Sequence, residues 1–202
     1  MSPQIAAILA ARRRRDELRQ PYERVSTERL EAFEKSMAEM RKLGDIFRAY
    51  DRDKTSRLEP NDVKKLLRDI NNGEEPSQEE MDFIFKTCDN KCENGAIDFS
   101  ELKSAIESWK VYLRHKDDMQ EALKKFDASN SGKLERDELK QYLVHLNGGL
   151  EVTEDEVDYV LAHADVFRDG ACSTQELVLA TAAWYTLVQK KKENAACCCV
   201  VS

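Results

Sequence analysis

DASNSGKLERDE, residues 127–138, is the most informative stretch of this chain. Oxygen-bearing side chains stand at its positions 1, 3 and 5, which are Asp127, Ser129 and Ser131. Because these positions alternate, a tightly curling chain can turn all three side chains towards one centre. Gly132 at position 6 can adopt the left-handed backbone that such a curl requires and that a side chain resists.

The second half of the stretch completes the set of oxygens. Lys133 at position 7 can present its carbonyl inwards while its charge points outwards, and Glu135 at position 9 can contribute directly or through water. Glu138 at position 12 would reach in from the first turn of the next helix with both carboxylate oxygens. A hard cation such as Ca²⁺ prefers six to eight oxygens at about 2.3–2.6 Å. The stretch is therefore a candidate Ca²⁺ site, with the ligands Asp127, Ser129, Ser131, Lys133 and Glu138.

Three further twelve-residue stretches repeat this pattern, and the four starts are 39, 37 and 38 residues apart. Apolar residues at helical spacing follow each stretch and precede all but the second, which predicts four helix–loop–helix units. One such unit cannot bury its apolar face alone, so we expect Leu58 to pair with Ile97 and Leu134 with Cys172 at position 8 of the loops. The further stretches are DRDKTSRLEPND (51–62), NKCENGAIDFSE (90–101) and DVFRDGACSTQE (165–176).

On these four units, residues 38–189 resemble the EF-hand superfamily in the four-hand arrangement of calmodulin-like proteins. The resemblance implies Ca²⁺ as the cofactor and an all-α fold of two paired EF-hand lobes, with an N-terminal helical extension and a flexible C-terminal tail. The expected boundaries are 1–37 for the extension, 38–112 and 113–189 for the two pairs, and 190–202 for a basic, lipidated tail.

The first loop keeps most of the pattern and departs from it at two positions. Ser56 replaces glycine at position 6, where a left-handed conformation costs on the order of 1–2 kcal/mol. Asp62 at position 12 is one methylene shorter than glutamate, which favours Mg²⁺ over Ca²⁺. We expect Mg²⁺ or weak Ca²⁺ binding here, through Asp51, Asp53, Thr55, Arg57 and Asp62.

The second loop fits the pattern in two registers. Its end fits if Asn90 begins the loop, whereas the apolar spacing of the preceding helix fits if Asp89 does. We therefore expect one inserted residue, which puts Lys91 or Cys92 where an oxygen ligand belongs. Cysteine is a soft ligand that suits Ca²⁺ poorly, so the expected role of this hand is structural.

The fourth loop keeps the candidate ligands Asp165, Asp169 and Glu176 but has Phe167 at position 3. The phenylalanine removes one oxygen and puts a large apolar group beside the site. We expect weak metal binding or none in this loop, which can still brace the third.

The chain has a net charge of −7, although residues 1–36 and 190–202 are each net basic. An acidic body disfavours nucleic acid as a partner. Near the N-terminus, IAAILAARRRRDELRQ can form a basic amphipathic helix, and Pro21 predicts a kink or a fresh helix start. Such a helix can lie on a membrane or dock in the groove of its own C-terminal lobe. A plain exposed extension is the alternative.

The chain ends in CCCVVS, residues 197–202. Cys199 with two aliphatic residues and a final serine matches the C-a-a-X prenylation pattern, in which serine favours farnesyl. Cys197 and Cys198 are candidate palmitoylation sites, and each lysine at 190–192 adds about 1 kcal/mol against an anionic leaflet. We expect attachment to the cytoplasmic face of a membrane in a eukaryotic cell, with a plain disordered end as the alternative.

The expected function is that of a calcium sensor that exposes an apolar groove to a target helix on binding Ca²⁺. The alternatives are a calcium buffer, which binds without opening, and a structural scaffold with little response to Ca²⁺. The sequence has no Ser/His/Asp set, cysteine-nucleophile signature or phosphate-binding glycine loop, so we do not expect an enzyme. It also has no secretory signal and no apolar run of about 18 residues, so we expect neither disulfides nor a membrane span.

Overall fold

The computed structural model describes the backbone of residues 3–89 and 94–198, and the side chains of residues 13–14, 29–89 and 94–193. Within these ranges the chain forms seven helices and one small sheet, which confirms the predicted all-α class. The helices are α1 (Pro3–Tyr50), α2 (Pro60–Ile70), α3 (Gln78–Cys88), α4 (Phe99–Phe126), α5 (Arg136–Leu146), α6 (Glu154–Ala164) and α7 (Thr174–Cys198). The strands are β1 (Arg57–Leu58) and β2 (Ile97–Asp98).

Several helices begin where the sequence supplies a cap. Ser77 starts α3 because its hydroxyl accepts from the Glu80 N–H at 3.2 Å, while the Glu80 carboxylate accepts from the Ser77 N–H at 2.8 Å. The same reciprocal arrangement starts α4 at Asp98 and α6 at Thr153. Pro60 starts α2, since its fixed φ suits the first helical position. These caps satisfy N–H groups that have no partner within a helix.

The polar loops meet in two pairs, as predicted. Leu58 pairs with Ile97 in the antiparallel β1–β2 sheet. Leu134 pairs with Cys172 in an isolated bridge, and both of its N–H···O distances are 2.8 Å. All four side chains are fully buried, so each pair of loops rests on a small apolar core.

α4 joins the two pairs of units. It crosses the expected boundary between residues 112 and 113 without interruption. The buried Trp109 of α4 donates to the Leu67 carbonyl at 3.0 Å, and Tyr112 donates to the Glu80 carboxylate at 2.8 Å. Residues Tyr50–Ser202 form one compact unit in which α7 contacts both α4 and α3. The two pairs are thus packed together around a shared helix.

The second pair of units has a continuous apolar core. Helices α4 to α7 all contribute to it, and the indole of Trp184 on α7 is 1% exposed. Each large apolar side chain that is fully buried contributes about 1.5–3 kcal/mol. The buried members of this core are Met119, Leu134, Leu139, Tyr142, Leu143, Val152, Val157, Val160, Ala164, Cys172, Leu177, Ala180 and Trp184.

Two cysteines of the body are free and buried, Cys88 and Cys172. Burial raises the pKa of both thiols above the ordinary value. Since the thiolate is the reactive form, both groups are suited to packing and not to chemistry.

All of α1 except its last residue, Tyr50, belongs to a separate compact unit, Met1–Ala49. It continues through Pro21 as one helix, so the fresh start predicted there is wrong. Four large apolar side chains recur along α1 at helical spacing and are 42–62% exposed; they are Leu30, Phe33, Met37 and Met40.

α7 continues through the lysines at 190–192 to Cys198, so the first part of the predicted tail is helical. The side chains of Cys197 and Cys198, and all of residues 199–202, lie outside the described part of the chain. The lipidation predicted for Cys199 therefore concerns a residue outside the described part of the chain. Among the described helices, none combines the length and the apolar character that a bilayer span requires.

Candidate metal centres in the four loops

The third loop is organised around the carboxylate of Asp127. Its two oxygens accept from the N–H groups of Ser131 at 3.0 Å and Gly132 at 2.9 Å, and Oδ1 also accepts from the Ser129 hydroxyl at 3.2 Å. Gly132 has a φ of +81°, as the predicted curl requires. Desolvation raises the pKa of Asp127, but these hydrogen bonds outweigh it and leave the pKa below the ordinary value. The carboxylate is therefore held ionised at the start of the loop.

Glu138 closes the third loop from the first turn of α5. Its Oε1 accepts from the Ser129 N–H at 2.8 Å, and its Oε2 accepts from the Glu135 N–H at 3.0 Å. Both bonds lower the pKa of Glu138, and the bond from the Glu135 N–H has the larger effect. The residue is only 7% exposed, so this carboxylate links a helix directly to the loop.

The donor set of the third loop fits a hard divalent cation. The Ser131 hydroxyl donates to the Lys133 carbonyl at 3.0 Å, so the oxygens at positions 5 and 7 lie side by side. Two carboxylates, two hydroxyls and a carbonyl are ligand types that Ca²⁺ accepts. Among the described residues no group of three or more His, Cys, Asp and Glu could hold a metal ion. Three of the five candidate ligands in this loop are of other kinds, namely two hydroxyls and a carbonyl.

The first loop shares the start of this arrangement but not its end. Asp51 accepts from the N–H groups of Thr55 at 3.0 Å and Ser56 at 3.1 Å, and Ser56 adopts the left-handed φ of +62°. Asp62 pairs instead with Lys65 of its own helix, at 3.0 Å. The Asp62 N–H donates to the Glu59 carbonyl at 2.8 Å, but among the described residues its carboxylate accepts from Lys65 and not from a loop N–H. This loop therefore lacks the closure that the Glu138 carboxylate gives the third.

The remaining donors of the first loop lie close to one another. The Thr55 hydroxyl is 3.0 Å from Asp53 Oδ1 and 3.2 Å from the Arg57 carbonyl. The hydrogen bond from the Thr55 side chain is the main cause that lowers the pKa of Asp53. Positions 1, 3, 5 and 7 are therefore assembled here, and position 12 is not.

In the second loop, Asp89 takes the role that the first residue has elsewhere. Its Oδ1 accepts from the Asn94 N–H at 3.3 Å and its Oδ2 from the Gly95 N–H at 2.8 Å. The acceptor and the glycine are six residues apart, against five in the third and fourth loops. This spacing fits the expected insertion with Asp89, and not Asn90, as the first residue. Residues 90–93, which include Lys91 and Cys92, lie outside the described residues.

The fourth loop is closed entirely by protein groups. Glu176 is 0% exposed, and its Oε1 accepts from the N–H groups of Val166 at 2.9 Å and Phe167 at 3.1 Å. Its Oε2 accepts from the Ser173 N–H at 2.9 Å and the Ser173 hydroxyl at 2.8 Å. Four donors thus satisfy this carboxylate without a metal ion.

The third and fourth loops are also joined by charge. The ammonium of Lys133 forms an ion pair with Asp169. This contact is the main cause that lowers the pKa of Asp169 and raises that of Lys133. Asp165 accepts from the N–H groups of Asp169 at 3.2 Å and Gly170 at 2.9 Å. A lysine of the third loop therefore already neutralises one candidate ligand of the fourth.

A family model for an EF-hand domain pair matches residues 40–107 and again residues 116–181. The chain belongs to the EF-hand family. Each match contains two of the four loops, so the structure has two EF-hand pairs, and calmodulin-like members of this family bind Ca²⁺.

Curated relatives support this assignment. The chain is 30% identical to the probable calcium-binding protein CML18 of Arabidopsis thaliana, over 73% of this chain and 85% of the relative. It is 32% identical to the putative calmodulin-like protein 6 of Oryza sativa subsp. japonica, over 65% of this chain and 76% of the relative. A calmodulin-like protein of Dictyostelium discoideum is 28% identical, over 66% of this chain and 85% of that protein.

Sequence reasoning missed two features of these EF-hands. The ion pair of Lys133 with Asp169 has no signal in the sequence, because it joins residues 36 positions apart on two loops. Two of the four bonds to Glu176 come from Ser173 at position 9, whose hydroxyl and N–H both donate to Oε2. A short hydroxyl residue at position 9, three before the glutamate, also forms an N-terminal capping box, and that pattern was visible in the sequence.

Proposed function

We propose that this EF-hand protein is a calcium sensor tethered to the cytoplasmic face of a membrane in a eukaryotic cell. The observation that carries the sensing part is the link from Glu138 to the third loop through the N–H groups of Ser129 and Glu135. Drawing this carboxylate onto Ca²⁺ would break both bonds and move α5 relative to α4. The re-angled helices would expose apolar core side chains as a groove for a target helix.

Calorimetry with Ca²⁺, with and without Mg²⁺, tests the sensing part together with the fluorescence of an apolar dye. We expect Ca²⁺ to bind and dye fluorescence to rise in the wild type. The variant Glu138→Gln should lose both responses, whereas Glu135→Gln, a matched change at position 9, should keep most of them. Ca²⁺ binding without any rise in dye fluorescence would favour a buffer and contradict the sensor.

The first EF-hand is proposed as a site for Mg²⁺ or weak Ca²⁺. Its donors at positions 1 to 7 are assembled, but Asp62 is held by Lys65. Since Mg²⁺ needs fewer protein ligands than Ca²⁺ and retains several waters, a loop without its closing carboxylate suits it better. The variant Asp62→Glu should convert this loop into a second Ca²⁺ site in the same calorimetric titration.

Membrane attachment is proposed through the C-terminal cysteines. The C-a-a-X pattern at Cys199 supports a prenyl group, and Cys197 and Cys198 support added palmitate. One lipid chain gives only marginal attachment, so a second chain or a basic patch is needed. Fractionation of eukaryotic cells should find the wild type with membranes and Cys199→Ser in the soluble fraction; an unchanged distribution would contradict the anchor.

The proposed partner is an amphipathic helix, and α1 is a candidate for that role within the chain. Its exposed apolar residues, Leu30, Phe33, Met37 and Met40, are spaced as such a helix requires. If α1 occupies the groove, Phe33→Glu should raise Ca²⁺-dependent dye binding. If it is a plain extension, the variant should leave the dye signal unchanged. The net charge of −7 argues against nucleic acid as a partner.

A structural scaffold is the second candidate, and the fourth EF-hand favours it. Glu176 is satisfied without metal, and the two EF-hand pairs are packed in one unit. A scaffold would release no heat with Ca²⁺ and would keep the same dye fluorescence and circular dichroism with and without the ion. Either outcome of the calorimetric titration therefore separates the two candidates.

A further inference from the structure

The end of α7 is fastened to α6 by two lysines. Lys191 forms an ion pair with Glu156. Lys190 lies 3.4 Å from the Tyr159 hydroxyl, and its ammonium is 5.8 Å from the centre of the same ring. Glu156 and Tyr159 are three residues apart on α6, so they share one helical face. The two lysines directly precede the segment that carries the C-terminal cysteines.

The two side chains of α6 that contact the lysines, Glu156 and Tyr159, are themselves held in place by neighbouring groups. The side chain of Glu156 is 12% exposed, and its Oε2 accepts from the Thr153 N–H at 2.6 Å and hydroxyl at 2.9 Å. Lys191 uses the other oxygen, Oε1. Tyr159 lies against the ring of His163 with centres 4.1 Å apart. The lysines therefore meet a positioned carboxylate and a positioned aromatic ring.

These contacts lie far from the fourth loop. Lys191 is about 25 Å along α7 from its start, and Glu156 is about 12 Å along α6 from its end, at 1.5 Å per residue. Because α6 and α7 are the two helices of the fourth EF-hand, a change in the angle between them moves these distant points most. Both contacts consequently require the closed arrangement of that hand.

We propose that Lys190 and Lys191 form a latch that closes the fourth EF-hand, and that an anionic phospholipid surface competes with α6 for the same two lysines. This inference rests on the proposed function, in which Ca²⁺ opens the second EF-hand pair and the tail lies at a membrane. Glu156 and a phospholipid headgroup are both anionic ligands for an ammonium group, and the neighbouring Lys192 adds to the positive patch. Opening the hand would free Lys190 and Lys191 beside Lys192, next to the proposed site of attachment.

The third loop can drive this latch through two contacts already described. The Leu134–Cys172 bridge and the Lys133–Asp169 ion pair tie the metal-binding loop to the loop between α6 and α7. Binding of Ca²⁺ and binding of the anionic surface would then favour the same open arrangement. By thermodynamic linkage, each would raise the affinity for the other by the same factor.

The variant Glu156→Gln tests the latch without disturbing the start of α6, because glutamine also completes the capping box with Thr153. Asp155→Asn is the matched control, since it removes an exposed carboxylate on the same helical turn. Full-length protein without lipid is sedimented with vesicles of phosphatidylserine and phosphatidylcholine, in EGTA and in Ca²⁺. In EGTA, Glu156→Gln should bind about fivefold more tightly than the wild type, as expected for one freed lysine. Asp155→Asn should bind like the wild type.

In Ca²⁺, wild-type binding should rise at least to the level that Glu156→Gln shows in EGTA. The double variant Lys190→Gln/Lys191→Gln should lose this Ca²⁺-dependent increase while it keeps its Ca²⁺ affinity in calorimetry. Equal binding of Glu156→Gln and Asp155→Asn in EGTA would overturn the latch.

Failure of the latch and failure of the sensor are separable. If calorimetry shows Ca²⁺ binding but the affinity for vesicles is the same in EGTA and in Ca²⁺, the latch proposal is wrong and the sensor proposal stands. If no Ca²⁺ binds, the proposed sensor is wrong, and the comparison of the two carboxylate variants in EGTA still decides whether α6 holds the lysines.

Discussion

The third and fourth loops share a bridge, a length and a glutamate at position 12, yet they use that glutamate differently. Glu138 accepts two backbone hydrogen bonds and is 7% exposed. Glu176 accepts four hydrogen bonds, one of them from the Ser173 hydroxyl, and is 0% exposed. Position 9 accounts for part of this difference, since it is Ser173 in the fourth loop and Glu135 in the third.

The comparison teaches that a ligand-type residue is not by itself a metal site. A buried carboxylate with a complete set of donors would have to lose all of them to reach an ion, and each unsatisfied buried donor costs about 1–3 kcal/mol. A carboxylate with two donors loses less. We therefore expect the third loop to switch and the fourth to brace it.

The largest effect is expected for Glu138→Gln. It removes the charge and one of the two strong oxygens that close the third loop, so Ca²⁺ affinity should fall on the order of 100-fold or more, above what outer contacts of a metal site contribute. Calorimetry measures this loss. Glu176→Gln is the matched control in the fourth loop and should change the affinity of the third by less than about threefold. Equal losses in both variants would remove the distinction between the loops.

Glu176→Ala should instead affect stability. It leaves four donors without an acceptor in a fully buried site, so the free energy of unfolding without Ca²⁺ should fall by about 3 kcal/mol or more. In a chain of this size that corresponds to a melting temperature lower by about 6–12 °C. Glu138→Ala, measured by the same thermal denaturation, should lose clearly less. The opposite ranking would show that the third loop is the brace.

Much of this contrast could be anticipated from particular residues. The alternating oxygens after Asp127, the glycine at position 6 and the apolar residue at position 8 predicted the loops and their pairing, because each position needs a specific backbone or side chain. The ion pair of Lys133 with Asp169 could not be predicted, since it joins residues 36 positions apart on two loops. Of the kink or fresh start predicted at Pro21, the fresh start was wrong, because a proline favours a helix end without enforcing one.

Phe167→Ser asks whether one oxygen is all that the fourth loop lacks. The added hydroxyl supplies position 3, and we expect an additional weak Ca²⁺ event in calorimetry, with affinity raised about tenfold, or about 1.4 kcal/mol. Phe167→Ala is the control, because it removes the bulk without adding an oxygen. If neither Phe167→Ser nor Phe167→Ala shows the additional Ca²⁺-binding event, the hydrogen bonds that protein donors make to Glu176 are what prevents Ca²⁺ binding in the fourth loop. The double variant Phe167→Ser/Ser173→Glu gives the fourth loop the glutamate that the third loop has at position 9, and its fourth loop should then bind Ca²⁺.

The smallest effect is expected for Lys133→Gln, which breaks the ion pair between the two loops but keeps the position 7 carbonyl. The pair is partly exposed, so it should contribute about 0.5 kcal/mol and less at high salt. The contact lowers the pKa of Asp169 and raises that of Lys133. A carboxyl group whose pKa is lowered by folding contributes stability at pH values above its pKa in the unfolded chain, and this stability is lost as the pH falls. An ammonium group whose pKa is raised by folding contributes stability at pH values below its pKa in the unfolded chain, and this stability is lost as the pH rises.

The difference in unfolding free energy between wild type and Lys133→Gln should therefore be flat between about pH 5 and pH 9, where both groups are charged in the folded and unfolded chain. It should shrink towards zero below this window, as Asp169 takes up a proton, and above it, as Lys133 loses one. Denaturant titrations at several pH values measure the difference, with Lys140→Gln, which breaks the ion pair with Glu154 on α6, as a matched control away from both loops. A difference that persists at pH 2 would mean that Lys133 supports the fourth loop by packing, and the two loops would then be joined by the Leu134–Cys172 bridge alone.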